Sequence, residues 1–340
     1  MRRKWLAVLF GVGAVAVVTA GLAAGVGSAG QSATAKGYKI YLLPKNLGNP
    51  YFNASNKGAQ KAAKELGDTV TYNAPTEASA TKQVTFIDTA VRQGYNAIII
   101  SGNDPNAVAP ALKRAAAKGV KVISYDADVA SDARIIYVSL PDLKSVGFAQ
   151  VEWLGSQIGY KGEFAILSAA ATAANQNAWI KYMKVALKQP KYKNMKLVKI
   201  VYGDDNDAKS AQLAQGLMQA YPNLKGIIAP TTVGIAASAR VVQQANKCSA
   251  VRVTGLGLPS QMRKYVKSDC VKKFGLWNVE DLGYVAVQTA DAVLAGKLTG
   301  KAGESFTAGK AGKRTVGKKG VMIGVPPFAF TRGNIDQFKF

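Results

Sequence analysis

Lys45 stands just past the apolar run Ile40-Tyr41-Leu42-Leu43. A turn at Gly48-Asn49 and a proline, Pro50, follow it, and then two aromatic residues, Tyr51 and Phe52. Asp126 follows a second run, Lys121–Tyr125. Asn175, Gln176 and Trp179 come after Glu163–Ser168, and Pro230, Thr231 and Thr232 after Gly226–Ala229. Trp277 and Asn278 come after Val271–Leu276. Together these residue types bind without breaking a bond. Planar amides and carboxylates pair with neighbouring hydroxyls, and aromatic faces lie against C–H surface. A polyhydroxylated ring such as a sugar fits that set. Each residue alone has a plainer use: Asn175 is a good helix N-cap, Trp179 a good core residue and Lys45 a good solvated cation. Their shared placement at the ends of apolar runs favours a site.

The chemistry that is missing narrows the choice. The chain contains no histidine, which removes Ser-His-Asp and Cys-His catalysis and the commonest metal ligand. Neither a G-x-S-x-G elbow nor a P-loop is present. Gly25-Val26-Gly27-Ser28-Ala29-Gly30 matches a dinucleotide fingerprint, but no strand–turn–helix context surrounds it. Asp204-Asp205-Asn206-Asp207 lacks the spacing, glycine and glutamate of a calcium loop and reads as a solvated turn capping the next helix. A glycosidase would need a carboxylate pair, and nothing in the chain points to one. The expectation is no catalytic residue, no metal and no cofactor.

The elements that must position these residues alternate regularly. β-rich runs at Ile40–Leu43, Thr69–Asn73, Ala97–Ser101 and Lys121–Tyr125 are separated by helical patterns near Pro50–Leu66, Ala80–Gln93 and Asn106–Lys118. The alternation pauses at Arg134–Leu140 and restarts with a helix near Leu143–Ile158. Strands at Glu163–Ser168, Leu197–Tyr202, Gly226–Ala229 and Val251–Thr254 then alternate with helices near Ala174–Lys188, Ala208–Ala220 and Gly234–Ala245. A tail adds Val271–Leu276, a helix near Leu282–Leu294, a Gly/Lys-rich loop and Gly320–Phe330. This is βαβ alternation given twice: an α/β fold of two doubly wound, Rossmann-like lobes with strand ends facing a cleft. The tail is too short for a third domain and is expected to complete both lobes.

Arg2-Arg3-Lys4, an apolar stretch from Trp5 and a small-residue end at Ala33-Thr34-Ala35 read as a secretory signal over residues 1–35. An uncleaved anchor is the alternative, since the apolar run approaches membrane-spanning length. In an exported chain the two cysteines, Cys248 and Cys270, are most simply one disulfide, and two buried thiols are the alternative. The formal charge is +24. The lysines are scattered, with clusters at Lys188–Lys199 and Lys310–Lys319, and no nucleic-acid-binding motif accompanies them. The charge reads as solvated faces, with no nucleic-acid partner.

KNLGNPYF, ISYDAD, SAAATAANQNAWI, VYGDDNDAKS, YPNLKGIIAPTTVGIA, VTGLGLPSQM, FGLWNVEDLGY and the terminal NIDQF resemble the solute-binding subunits of bacterial ABC importers for rhamnose. These belong to the type I periplasmic-binding-protein family, with autoinducer-2 binding proteins as a cousin group. The resemblance spans nearly everything after the signal. It implies two lobes joined by three hinge crossings, here near Leu140, Trp277 and Val325. It also implies a lysine at Lys45 reaching a ligand oxygen, an aromatic wall at Tyr51 and Phe52, and a carboxylate at Asp126 pairing with hydroxyls. Asn175 and Gln176 match a binding pair, Pro230 a proline whose carbonyl accepts from the ligand, and Trp179 and Trp277 two lining aromatics. Autoinducer-2 carriers have Asp where this chain has Asn175 and Ala where it has Thr232. Those departures place rhamnose ahead of autoinducer-2.

The implied organisation is residues 36–140 with 279–324 as one lobe and 141–278 with 325–340 as the other. The expected protein is an exported, monomeric, non-enzymatic carrier, in the periplasm or on the outer face of the cytoplasmic membrane. Its partners are a monosaccharide and an ABC permease. Another monosaccharide carrier, a secreted glycosidase and a sugar-sensing regulator are the rivals. A regulator would need an N-terminal helix-turn-helix where this chain carries its signal. Thiol counting in the unreduced, denatured protein tests the cysteine reading: none should react, and two reactive thiols would rule out the bond, whose loop closure is worth about 3 kcal/mol.

Overall fold

The computed structural model describes residues 37–139, 142–323 and 328–340. The signal segment and the crossings expected near Leu140 and Val325 lie outside the described residues. Lys39–Leu43 is β1, and Asn49 ends the turn after it. The Asn49 side chain accepts from the Tyr51 N–H, Pro50 fills the first helical position and Gly67, at φ 76°, closes helix α1, Pro50–Leu66. The chain continues through β2 (Thr69–Tyr72), α2 (Ala80–Arg92), β3 (Ala97–Ile100), α3 (Pro105–Ala117), β4 (Lys121–Tyr125) and β5 (Ile136–Ser139). Strands β2-β1-β3-β4-β5 lie side by side and parallel. Both faces are covered, so alternate residues of β1 enter different cores. Ile40 and Leu42 pack with Ala59 and Ala62 of α1, whereas Tyr41 and Leu43 pack with Ile87 of α2 and Leu112 of α3.

The second half repeats the pattern with α4 (Leu143–Ile158), β6 (Lys161–Ser168), α5 (Ala174–Ala186), β7 (Asn194–Tyr202), α6 (Asp207–Ala220), β8 (Leu224–Ala229), α7 (Thr232–Gln244) and β9 (Arg252–Gly255). Its sheet, in the order β7-β6-β8-β9, is also parallel. The paused stretch at Arg134–Leu140 does hold a strand, β5. Ile135 just before it already bonds to β4, its N–H donating to the Val122 carbonyl at 2.9 Å.

The remaining chain is α8 (Pro259–Lys267), β10 (Phe274–Leu276), α9 (Val279–Leu294), the hairpin β11 (Ser305–Thr307) and β12 (Lys313–Thr315), then β13 (Val321–Ile323) and β14 (Phe328–Phe330). Helix α8 is absent from the sequence reading; only Pro259 at its first position announces it. The strand expected from Val271 begins instead at Phe274, because the Val271 N–H closes the end of α8 on the Tyr265 carbonyl at 3.0 Å. Cys248 and Cys270 are joined as a disulfide that links the turn after α7 to the end of α8, not two adjacent strands. The tail divides between the sheets. β13 adds to β5 in parallel, and β14 pairs antiparallel with β10, which a bridge from Gly275 to Leu256 attaches beyond β9.

Helix α9 packs along α1. A methyl carbon at Gly58 would lie 1.7 Å from the Glu280 carbonyl oxygen, and one at Gly283 would lie 1.9 Å from that of Ser55. Glycine is required at both crossings because backbone meets backbone. Gly58→Ala and Gly283→Ala should each destabilise by about 1–3 kcal/mol or more. Thermal unfolding of the two variants checks this, and an unchanged Tm would contradict the close approach.

Candidate functional site

The order of each sheet makes a switch point. Connections run to opposite sides between β1 and β3 in the first sheet and between β6 and β8 in the second, and ligands in open α/β sheets bind outside strand ends at such points. Lys45 leaves β1 and Asp126 leaves β4. Asn175 and Gln176 follow β6, and Pro230 to Thr232 follow β8. Loops of the two sheets meet there around a narrow cavity of about 30 Å³, room for little more than a water while the loops stand this close.

Asp126 is the centre of the polar network. Its backbone lies at φ 58°, a left-handed conformation that aspartate tolerates better than most residues. Its N–H donates to the Val138 carbonyl, and its own carbonyl accepts from the Tyr137 hydroxyl at 2.7 Å. Held at both ends, the side chain turns into the cavity. Oδ1 accepts from the Tyr51 hydroxyl at 3.0 Å and from the Asn175 amide at 3.3 Å, and Oδ2 accepts from the Ser101 hydroxyl at 2.7 Å. Lys45 Nζ lies 3.9 Å from Oδ2 and donates to Asn175 Oδ1 at 3.3 Å. The Lys45 and Asp126 side chains are only 4% and 6% exposed. Burial, with the Asp126 charge second, holds the Tyr51 phenol well above its ordinary range, so it stays a donor.

Aromatic rings close the other side. Tyr51 meets Phe52 and Trp277 edge-on at 5.1 and 6.1 Å, and Trp277 lies 5.9 Å from Trp179. The Trp277 indole N–H donates to the Tyr51 hydroxyl at 3.2 Å. Trp179 Nε1 is buried without a partner, an unmet donor of the kind a bound hydroxyl would satisfy. The Gln176 side-chain oxygen accepts from Ser168 Oγ and from the Ala169 N–H, both at 2.6 Å, which leaves its amide nitrogen uncommitted. Thr172 Oγ1 donates to the Asn103 carbonyl at 2.9 Å, a further bond between loops of the two sheets.

Lys45, Tyr51, Phe52, Asp126, Asn175, Gln176, Trp179, Pro230, Thr232 and Trp277 all line the cavity. Asn278 is a correction. Its side chain caps α9, accepting from Glu280 and Asp281 N–H groups at 3.1 and 3.4 Å, and it does not line the cavity. Asp205 is a second correction. Asn206 does cap α6, but Asp205 is no solvated turn residue. It sits at φ 51°, lines the cavity and accepts from the Thr231 hydroxyl. Burial pushes its carboxyl up, against the pull of Lys45 and the Thr231 hydrogen bond. Its place directly after a strand was the available signal.

Gln83 was also missed. This buried side chain on α2 donates to the Pro44 and Ser101 carbonyls at 3.0 and 2.9 Å and accepts from the Asn103 N–H at 2.9 Å. It thereby ties together the loops that carry Lys45 and Ser101. Asp128 is spent on structure. Arg134 grips it with two bonds of 2.7 Å, and Ser124 adds a third at 2.6 Å. Among the described residues no cluster of three or more candidate metal ligands occurs.

Fold and site define a two-lobed binding protein with its cavity between two parallel sheets. The family model described as periplasmic binding protein domain matches residues 40–298. A sugar ABC transporter from Actinomyces odontolyticus is 44% identical, with 89% of this chain and 98% of that one covered at a TM-score of 0.71. A solute-binding protein from Clostridium phytofermentas, solved with bound L-rhamnose, is 33% identical over 89% and 98% of the chains at 0.86. LsrB from Clostridium saccharobutylicum, solved with AI-2, is 26% identical over 89% and 100% at 0.84. The chain belongs to the periplasmic binding proteins, among the solute-binding proteins of sugar ABC transporters.

Removing the Asp126 carboxylate strands Lys45, Tyr51, Ser101 and Asn175 without their shared acceptor, each unpaired buried group costing about 1–3 kcal/mol. Asp126→Ala should lower Tm and weaken ligand binding roughly tenfold or more. Asp126→Asn, which keeps the backbone preference and some acceptors, should lose less of both. Calorimetric titration beside thermal unfolding checks the order. An Ala variant that binds like the parent would displace Asp126 from the centre of the site.

Proposed function

We propose that this chain captures rhamnose, or a closely similar 6-deoxy or pentose-like sugar, and delivers it to a membrane permease without altering it. The observation that carries this reading is the shared network in which Asp126, Lys45 and Asn175 join loops of both sheets beside an aromatic wall. A sugar held there touches both sides of the cavity at once. The bound sugar of the 33%-identical relative supports rhamnose, and Asn175 and Thr232 weigh against autoinducer-2. Residues 36–140 with 279–324 form one lobe in this reading and 141–278 with 325–340 the other. The protein is exported, to the periplasm or the outer face of the cytoplasmic membrane, and acts as a monomer.

The cavity lining argues for a neutral ligand. It carries one cation, Lys45, against two carboxylates, Asp126 and Asp205, although the whole chain is strongly basic. An anionic sugar would add a third negative group beside two carboxylates and one cation. Titration with L-rhamnose, its aldonic acid and autoinducer-2 tests the proposal. L-Rhamnose should bind with a dissociation constant near a micromolar, about −8 kcal/mol, the aldonic acid should not bind, and autoinducer-2 should bind more weakly. A ligand that bridges both lobes favours the closed form, so saturating L-rhamnose should not raise the radius of gyration in small-angle scattering. Tighter binding of autoinducer-2 would favour the cousin reading, and failure of every sugar tested would end the carrier proposal.

A further inference from the structure

Two carboxylates line the cavity, and they differ in what they have left to offer. Asp126 is heavily committed: Tyr51 and Asn175 donate to Oδ1, Ser101 donates to Oδ2, and Lys45 lies against Oδ2. A carboxylate has about four acceptor directions, so a ligand hydroxyl reaching Asp126 must compete with protein donors already in place. Asp205 has a single hydrogen bond, from the Thr231 hydroxyl to Oδ1, and its Oδ2 has none. Lys45 and Asp126 are its charged neighbours across the cavity, with Asp204 beside it. Asp204 is engaged outward by Lys209. Lys45 influences Asp205 without forming an ion pair with it.

The donors on the lining complete the picture. Trp179 Nε1 is unpartnered, and the Gln176 amide nitrogen is left over once its oxygen is bound by Ser168 and Ala169. The lining therefore offers two uncommitted donors, and Asp205 Oδ2 is its carboxylate oxygen with no hydrogen bond. A hydroxyl both donates and accepts. A polyol can use the donors through its oxygens, and its hydroxyl hydrogens then have that carboxylate oxygen as a charged acceptor.

We infer that Asp205 is a specificity-determining residue of this cavity, accepting a hydrogen bond from one particular hydroxyl of a neutral monosaccharide. The inference rests on the carrier reading above. Its backbone suits the task. Asp205 and its neighbour Asp204 both lie in the left-handed region, at φ 51° and 53°, and the turn they make directs Asp205 to the cavity while Asn206 starts α6. Thr231, at the head of α7, fixes one oxygen and leaves the other without a hydrogen bond. A bound sugar that covered that oxygen with a hydroxyl of the wrong configuration, or with none, would leave it unmet. A site built to hydrogen-bond a hydroxyl rejects the analogue lacking it for this reason.

The test uses Asp205→Asn and Asp205→Gly in the full exported chain. Both replacements tolerate the positive φ, and Asn keeps an acceptor for Thr231. Calorimetric titrations with L-rhamnose and each of its monodeoxy analogues are run on the parent and both variants, beside thermal unfolding of the unliganded proteins. For the parent sugar, both variants should lose about ten- to a hundredfold in affinity. For one deoxy analogue the parent and the variants should bind alike, because the hydroxyl that Asp205 reads is already gone. Tm should change little in the Asn variant. Equal affinity of parent and variants for L-rhamnose overturns the inference while leaving the carrier reading intact. So does a loss of the same size for every analogue, which would make Asp205 a support for Thr231 alone. If the parent binds neither L-rhamnose nor any analogue, the rhamnose reading fails first and this inference falls with it.

Discussion

A buried carboxylate must be met by donors wherever it goes, and Asp126 meets that requirement by drawing on both halves of the molecule. Tyr51, Ser101 and Lys45 come from elements of the first sheet, and Asn175 from the second. Desolvating a charge costs several kcal/mol unless good geometry repays it. The repayment here is shared across the cleft. Asn175 and Lys45 carry the network from one side to the other. A ligand that bonded to both sides would favour the closed form over the open one, the condition under which binding and closure become linked.

The rest of the fold keeps this carboxylate in register. Arg134, whose side chain is 2% exposed, clamps Asp128 two residues along and donates to the Lys319 carbonyl. The β4 loop is thereby fixed to the segment that leads into β13. Gln83 ties the β1 and β3 loops from beneath. The aromatic wall has its own support. Tyr51 opens α1 and Trp277 precedes α9, and the two helices cross at Gly58 and Gly283 with their backbones in contact. Packing far from the cavity thus sets the distance between two rings that line it.

Charge is distributed in a way the bulk number conceals. The chain carries +24, yet the cavity holds more carboxylates than cations. Many of the surface lysines face carboxylates with both partners substantially exposed, as in Lys82 with Glu77 and Lys113 with Asp132. Such pairs contribute little to stability. The few charges removed from water are the ones whose interactions the low dielectric strengthens.

Much of this was legible in the chain itself. Alternating β-rich runs and amphipathic helices specify two parallel sheets, since each apolar face must be buried. Local caps marked helix ends so well that α1 and α4 begin and end where the sequence reading put them. Residues after strand ends marked the cavity, because strand direction alone decides where loops converge. Other features needed the tertiary structure. Asn278 has a side chain equally suited to a ligand or a helix cap, and the path of the backbone into α9 made it a cap. Gln83 acts through partners distant in sequence, which no local pattern records. Asp205 looked like any acidic turn until α7 brought Thr231 against it. The sequence by itself determined most elements of the two repeated halves, their order and the ends at which chemistry collects. Only the packing of one sheet's loops against the other's decided which polar groups lost water, and desolvation is what turns a polar side chain into a binding one.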